Sequence, residues 1–286
     1  MPLLLLLYYF IKRYDQMKTG TYSTKNFSDF RKASADLLNA AKRKNMVHAL
    51  IEVDVTRARS SIREVRKGNE GYFSLIGFII HCASKTIEKN KTLHGYRDWR
   101  NRILLFDDVD VSTTIERGID GNSEVIPEII RSANKKSVSD ISEEIKNAKT
   151  KKVETTDVFN SIRLYLAIPA FLRRLIFRIL DRCPQLMKRK AGTIMVTSVN
   201  MIGRGAGWGI PIASHTLNIA IGGIVERLVK IKGKIENREH LCLTISFDHN
   251  IIDGAPAARF IRSFKKLLEK GLQQEDQEGV YEENKI

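Results

Sequence analysis

The sequence predicts one α/β (α+β) sandwich, in which a sheet of mixed strand directions is covered by helices. Strand-like and helix-like segments alternate along the chain without a regular repeat, so a purely parallel, doubly wound sheet is not favoured. The chain has 286 residues, of which 43% are hydrophobic and 28% charged. That length and composition are typical of a globular protein with a large core.

The first part of the chain predicts three helices and one strand. A helix is expected over residues 28–43, with the serine at its start as the cap. Apolar residues alternate with polar ones over residues 47–55, which is typical of a half-buried strand. A basic helix begins at Thr56, and a largely apolar helix covers residues 74–89.

The rest of the chain predicts most of the sheet. Ser137 or Ser139 can cap a helix that runs to Lys149, and a last helix covers residues 255–270. Strands are expected at residues 103–106, 109–115, 125–130, 193–197, 218–229 and 240–247.

An apolar segment with spaced arginines, residues 162–180, interrupts this alternation. Pro169 is expected to end or kink a helix there. One interpretation is a helical hairpin that covers the sheet; the alternative is a basic amphipathic surface for a membrane or for acyl chains. Its four arginines argue against a membrane span, because each costs about 2.5–3.5 kcal/mol at the membrane centre.

The pattern Asp-His-x-x-x-Asp-Gly joins a strand-like segment to the last helix. His249 lies at that turn, where the strand fixes its position and the turn exposes its ring. A neutral imidazole is well suited to accept a proton near neutral pH. Asp248 precedes it, Asp253 can orient the loop or bind a basic group, and Gly254 is expected to allow unusual backbone angles.

This pattern resembles the signature of the acyltransferase component of 2-oxoacid dehydrogenase complexes, whose catalytic domain is built like chloramphenicol acetyltransferase. Further segments resemble that domain in the same order, at residues 31–38, 47–55, 106–111, 130–137 and 192–198. The resemblance covers residues 27–271. It implies a catalytic domain over those residues. Residues 159–190 depart from the family pattern as a helical insertion, and an N-terminal extension covers residues 1–26. The acidic composition predicts a disordered tail over residues 272–286.

The resemblance also implies the roles of the site residues. His249 is the expected general base, and a hydroxyl on the strand that begins at residue 192 is expected to stabilise an oxyanion. Thr197 lies at that position, and Ser198 points to the opposite face because strand side chains alternate. Asp253 would support the histidine, and Arg31 would pair with the motif aspartate.

Further implications concern substrates and assembly. Acyl-coenzyme A would be the donor, and the acceptor would be dihydrolipoamide on a separate lipoyl-bearing protein, or a small hydroxyl or amine. A homotrimer, or a multiple of trimers, would place the site between subunits. No lipoyl domain or linker fits before residue 27, and Asn250 replaces a common arginine. A catalytically weak trimeric scaffold therefore stays as the alternative.

Net charge, cysteine count and histidine spacing limit the possible functions. The net charge of +15 is spread along the chain without an aromatic and basic module, so nucleic-acid binding is not favoured, whereas a basic surface suits coenzyme A phosphates. The three cysteines have no metal-ligand spacing and are odd in number, which favours buried thiols in the cytoplasm. His48 and His215 lack ligand partners at metal spacing, so no metal site is expected.

Two remaining segments have open interpretations. Residues 1–11 are apolar but too few to span a bilayer, so they are expected to pack on the protein or a neighbour, with a peripheral membrane contact as the alternative. Residues 203–209 are rich in glycine but lack the Lys-Ser/Thr ending of a phosphate loop. A flexible turn near the site is favoured, where Trp208 lines the channel or fills the core.

Overall fold

A computed structural model describes residues 6, 8, 21–68, 72–119, 122–150, 162–198 and 205–272. Most of the predicted N-terminal extension, and all but the first residue of the predicted tail, lie outside these ranges.

The predicted mixed sheet covered by helices is confirmed. The main sheet contains β1 (Met46–Asp54), β4 (Val111–Ile119), β5 (Asn122–Ile130), β6 (Ile194–Ser198), β7 (Leu217–Ile231) and β8 (Lys234–Asp248), and a small sheet pairs β2 (Tyr96–Arg97) with β3 (Ile103–Leu104). The strand order of the main sheet is β1-β8-β7-β6-β4-β5. β6 runs parallel to β7 and β4, and the other neighbours are antiparallel.

Helices lie on both faces of this sheet. They are α1 (Asp29–Ala41), α2 (Thr56–Lys67), α3 (Leu75–Glu88), α4 (Val138–Thr150), α5 (Ala170–Leu180), α6 (Pro184–Ala191) and α7 (Gly254–Lys270). Serine caps fix three helix starts, two of them predicted: Ser28, Ser74 and Ser137 accept hydrogen bonds from the backbone N–H three residues later, at 3.2, 3.0 and 3.1 Å. The last of these resolves the choice between Ser137 and Ser139.

The core lies on one face of the sheet, named here the core face. Every second residue of the strands points into it, including Val111, Ile194 and Ile245. Helix α7 adds Phe260 and Phe264, which lie on one side because they are four residues apart, and their rings stack with centroids 5.4 Å apart. Burying each such aromatic side chain contributes roughly 1.5–3 kcal/mol, so this packing holds the end of β8 in place.

The β7–β8 hairpin is longer than predicted. Its strands were expected to end at residue 229 and restart at 240, but pairing continues to Ile231 and Lys234. Lys232 and Gly233 form the two-residue turn, with φ of 49° and 85°, as a type I′ turn requires. The part of the hairpin near this turn carries many charged residues and no apolar face, so alternation of apolar and polar residues could not predict it from the sequence.

The segment with spaced arginines forms a bent pair of helices, as predicted. Residues 162–167 are helical, the chain bends at Ile168 and Pro169, and α5 then begins. Tyr165 and Arg173 both donate hydrogen bonds to the Asp36 carboxylate of α1, at 3.0 and 2.7 Å. In the described ranges, no helix combines the length and apolarity that a membrane crossing requires. The peripheral membrane contact stays a prediction.

Two buried histidines predict a loss of stability in acid. Burial lowers the pKa of His94 and of His215 to about 4, compared with about 6.5 in an unfolded chain. The unfolded chain therefore binds more protons between pH 6.5 and pH 4, so stability falls as the pH drops through that window and levels off below it. We expect each histidine to account for about 2 kcal/mol of lost unfolding free energy between pH 7 and pH 5.

Urea unfolding at the two pH values measures this loss. The His215→Gln variant should lose about 2 kcal/mol less unfolding free energy between pH 7 and pH 5 than the parent protein. This difference does not depend on how stable the variant is at pH 7. An unchanged loss in that variant would contradict the assignment.

Candidate active site

The predicted histidine lies where β8 ends and before α7 begins. Its side chain is 50% exposed, while its backbone N–H donates to the carbonyl oxygen of Asn45 at 2.8 Å. His249 is therefore held by its backbone and presents its ring to the surface. Its Nδ1 lies 4.0 Å from Oδ1 of Asp253, whose side chain is largely exposed.

The preceding aspartate organises the turn. Asp248 is almost fully buried, and its Oδ1 accepts hydrogen bonds from the backbone N–H and the side-chain amide of Asn250, at 3.1 and 2.7 Å. Its Oδ2 lies 3.7 Å from the ammonium group of Lys44. Asn45 donates to the Asn250 side chain at 3.0 Å. The side-chain amide of Asn250 thus links Asp248 to the segment before β1.

The pairing of Arg31 with a motif aspartate stays a prediction. Among the described residues of one protomer Arg31 forms no ion pair with either aspartate, and Lys44, which follows α1, lies beside Asp248. The expectation for Gly254 is wrong. Gly254 does not need unusual backbone angles: it begins α7, its φ is not positive, and a Cβ there would meet no atom within 4 Å. Any residue that starts a helix fits there.

A hydroxyl pair lies on the sheet face opposite the core, named here the opposite face. Thr197 Oγ1 is 2.8 Å from Oγ1 of Thr114 on the neighbouring strand β4. Ser198 alternates with Thr197 and so shares the core face with Val196. Of the two predicted hydroxyls, Thr197 is the one that points away from the core. Thr114 was not predicted, since nothing in its strand indicates which hydroxyl it meets.

Thr197 and His249 do not meet within one protomer. Thr197 lies opposite Ala220 of β7, and Ala220 lies opposite Thr244 of β8. His249 follows Thr244 by five residues, which is about 16 Å along the strand, and two strand spacings add about 10 Å across the sheet. The resulting separation of roughly 19 Å exceeds what one acyl group could bridge.

A basic cleft of about 180 Å³ adjoins the histidine turn, lined by Arg43, Lys44, Tyr96, Arg97, Asp181, Arg182, Asp248, Asn250 and Ile251. Arg43 is paired with Asp181 at 2.5 Å, and Lys44 lies near Asp248. Neither Arg97 nor Arg182 forms an ion pair with another described residue. Two guanidinium groups without a carboxylate partner suit a phosphate-bearing ligand.

The other candidates have structural roles. His48 Nδ1 lies 2.7 Å from Ser246 Oγ, and His215 is buried with Nε2 2.8 Å from the carbonyl oxygen of Ala191. Trp208 donates its indole N–H to the carbonyl oxygen of Ile51 at 3.1 Å, which fastens its loop to β1. No helix follows the described part of that glycine-rich segment, as predicted for a turn. No cluster of possible metal ligands occurs among the described residues.

Comparison with known proteins extends these observations. The sequence model for 2-oxoacid dehydrogenases acyltransferase (catalytic domain) matches residues 19–158 and 167–274, and so passes over residues 159–166 of the predicted insertion. The acetyltransferase component of the pyruvate dehydrogenase complex of Mycoplasma genitalium is 25% identical over 261 residues, which cover 85% of this chain and 57% of that protein. The chain spans about half the length of the curated relatives it matches.

Solved structures share the fold. A probable dihydrolipoamide acetyltransferase from Listeria monocytogenes superposes with a TM-score of 0.66 at 20% identity, covering 88% of this chain and 97% of that one. The Azotobacter vinelandii dihydrolipoamide acetyltransferase superposes with a TM-score of 0.67 at 15% identity, covering 89% and 94%. The catalytic mechanism of that enzyme has been investigated at a serine, a histidine and an asparagine. With the family match covering most of its length, this chain belongs to the catalytic-domain family of the 2-oxoacid dehydrogenase acyltransferases.

Proposed function

We propose that this protein transfers an acyl group between coenzyme A and the thiol of a dihydrolipoamide carried by a separate protein. The placement of His249 is the main observation that supports this proposal. The end of β8 and the buried Asp248 network hold its backbone, while its ring stays half exposed beside a basic cleft. A base held in this way suits activation of a thiol, and the family to which the chain belongs consists of acyltransferases.

His249 and Thr197 act on different atoms in the proposed reaction. The imidazole of His249 accepts the proton of the acceptor thiol, and the thiolate attacks the thioester carbonyl carbon. The carbonyl oxygen becomes an oxyanion, which accepts a hydrogen bond from the Thr197 hydroxyl. Thr114 can donate its own proton to Thr197 Oγ1 and leave the Thr197 proton free for the oxyanion. The C–S bond to coenzyme A then breaks, and the leaving thiolate takes the proton back from His249.

Residue spacing supports these assignments. In the Azotobacter vinelandii enzyme, the serine lies 52 residues before the histidine, and the asparagine lies four residues after it. Thr197, His249 and Asp253 have the same two spacings in this chain. Asp253, with its carboxylate 4.0 Å from the imidazole, takes the position of that asparagine and lies where it can orient the ring.

The separation of the two residues supports a site between subunits. Because Thr197 and His249 lie roughly 19 Å apart in one protomer, a shared site requires His249 from one protomer and Thr197 from its neighbour. A closed ring repeats such a head-to-tail contact at every interface. The family resemblance implies that this ring is a homotrimer, or part of a multiple of trimers.

The basic cleft is the proposed site for the phosphates of coenzyme A. Arg97 and Arg182 offer planar groups of donors that match phosphate oxygens in pairs. The cleft borders Asp248 and Asn250, so a ligand bound there by its phosphates can extend its thioester towards His249.

An acyl-CoA panel tests the proposal. Each thioester is incubated with dihydrolipoamide or with simple alcohols and amines, and free coenzyme A and the acylated acceptor are separated by liquid chromatography. S-acyl dihydrolipoamide is the expected product. An assembled, folded protein that forms no product with any acceptor would instead support the scaffold alternative.

A further inference from the structure

A second cavity, named here the apolar chamber, lies between the opposite face of the sheet and helices α1, α5 and α6. Its volume is about 260 Å³. Most of its wall is aliphatic or aromatic, including Leu37, Ala40, Ile129, Phe177, Leu180 and Met195. The segment with spaced arginines thus provides one wall, and α1 provides another.

Two polar residues of the wall, Ser214 and His215, are satisfied by protein partners. Ser214 Oγ lies 2.8 Å from Nδ1 of His215, whose Nε2 lies 2.8 Å from the carbonyl oxygen of Ala191. Burial lowers the pKa of His215 to about 4, so the ring is neutral at physiological pH. At the rim, Asp181 is paired with Arg43. Lys44, Lys190 and Ser112 also line the chamber, but most of its wall is aliphatic or aromatic, so the chamber suits a hydrocarbon.

The chamber adjoins the proposed oxyanion site. Its floor includes Ser112 and Met195, which precede Thr114 and Thr197 by two residues on their strands. Residues two apart on a strand share a face and lie about 7 Å apart. The floor of the chamber and the Thr197 hydroxyl are therefore neighbours on the same face of the sheet.

We propose that the apolar chamber holds the hydrocarbon chain of the acyl group, and that the substrates are medium-length aliphatic acyl thioesters rather than acetyl thioesters alone. The inference rests on the proposed function, because it is the carbonyl carbon beside Thr197 that directs the chain into the chamber. The chamber belongs to the protomer that contributes Thr197. A hexanoyl chain buries methylene groups there that an acetyl group does not have.

Two substitutions change the chamber in opposite directions. Ala40→Phe adds a ring at a buried position of α1 that faces the cavity, and Leu180→Ala widens the cavity at the end of α5. Ala167→Phe is the matched control, since it adds the same ring at an exposed position. Thermal unfolding and light scattering of each variant confirm that it is folded and assembled.

Calorimetry with coenzyme A, acetyl-CoA, hexanoyl-CoA and octanoyl-CoA reports binding without requiring turnover. The parent protein should bind hexanoyl-CoA at least tenfold more tightly than acetyl-CoA, because burial of each methylene favours binding. Ala40→Phe should abolish that preference, Ala167→Phe should retain it, and Leu180→Ala should shift it towards octanoyl-CoA. The ratio of kcat/KM for hexanoyl-CoA to that for acetyl-CoA should change in parallel.

The possible outcomes separate this inference from the proposed function. Equal affinity of the parent for both thioesters, or a preference that survives Ala40→Phe in a folded protein, would overturn the chamber assignment. The parent protein could prefer hexanoyl-CoA, lose that preference in Ala40→Phe, and still transfer no acyl group to any acceptor. That result would support the chamber assignment and contradict the proposed transferase function.

Discussion

Replacing His249 by alanine is expected to lower kcat/KM for acyl transfer by about 10²–10⁴-fold, the usual contribution of a positioned general base. The fold should persist, because the ring is half exposed and the turn is held by the Asp248 network and by the backbone bond to Asn45. Steady-state kinetics with acyl-CoA and dihydrolipoamide measure the loss, and circular dichroism and light scattering verify the structure.

His240→Ala is the matched control. It removes an imidazole from the same strand, where the ring lies 3.8 Å from Glu52 and far from the turn. Its kinetics should match those of the parent protein. Parental turnover by His249→Ala would remove the histidine from the mechanism.

Thr197→Ala is expected to lower kcat by about 10²-fold with little change in KM, since the hydroxyl is needed chiefly when charge develops on the oxyanion. Thr197→Ser keeps the donor and should keep most of the activity. Both are measured over a full range of acyl-CoA concentrations.

Ser198→Ala tests the strand phase. Ser198 shares a face with the core residue Val196, so its removal should leave kcat near the parental value. A larger loss for Ser198→Ala than for Thr197→Ala would show that the other face of β6 carries the oxyanion donor.

Local patterns in the sequence were sufficient for most of the fold, whereas the candidate site residues came from the histidine turn together with the family resemblance. The turn that carries His249 joins a strong apolar alternation to a helix with a periodic apolar side, so both flanking elements were predictable. The alternation of side chains along a strand likewise places Thr197 and Ser198 on opposite faces. Each of these inferences uses neighbours along the chain, where the periods of strands and helices govern direction.

Contacts between distant segments were not predictable from those periods. Lys44 and Asn45 reach the histidine turn only because β1 pairs with β8, and Thr114 meets Thr197 only because β4 lies beside β6. The apolar chamber likewise needs α1 and α5 to meet over the sheet, where Asp36 binds Arg173. A single sequence contains no periodic signal for any of these pairings.

Complementation between two inactive variants tests whether the site is shared between subunits. His249→Ala and Thr197→Ala proteins are mixed in equal amounts, dissociated and reassembled, and each is also treated alone. If subunits combine at random, about a quarter of the interfaces pair an intact His249 with an intact Thr197, and activity should rise to about that share of the parental value. Activity in the mixture no higher than in the two variants treated alone, although light scattering shows mixed assemblies, would contradict a site built from two protomers.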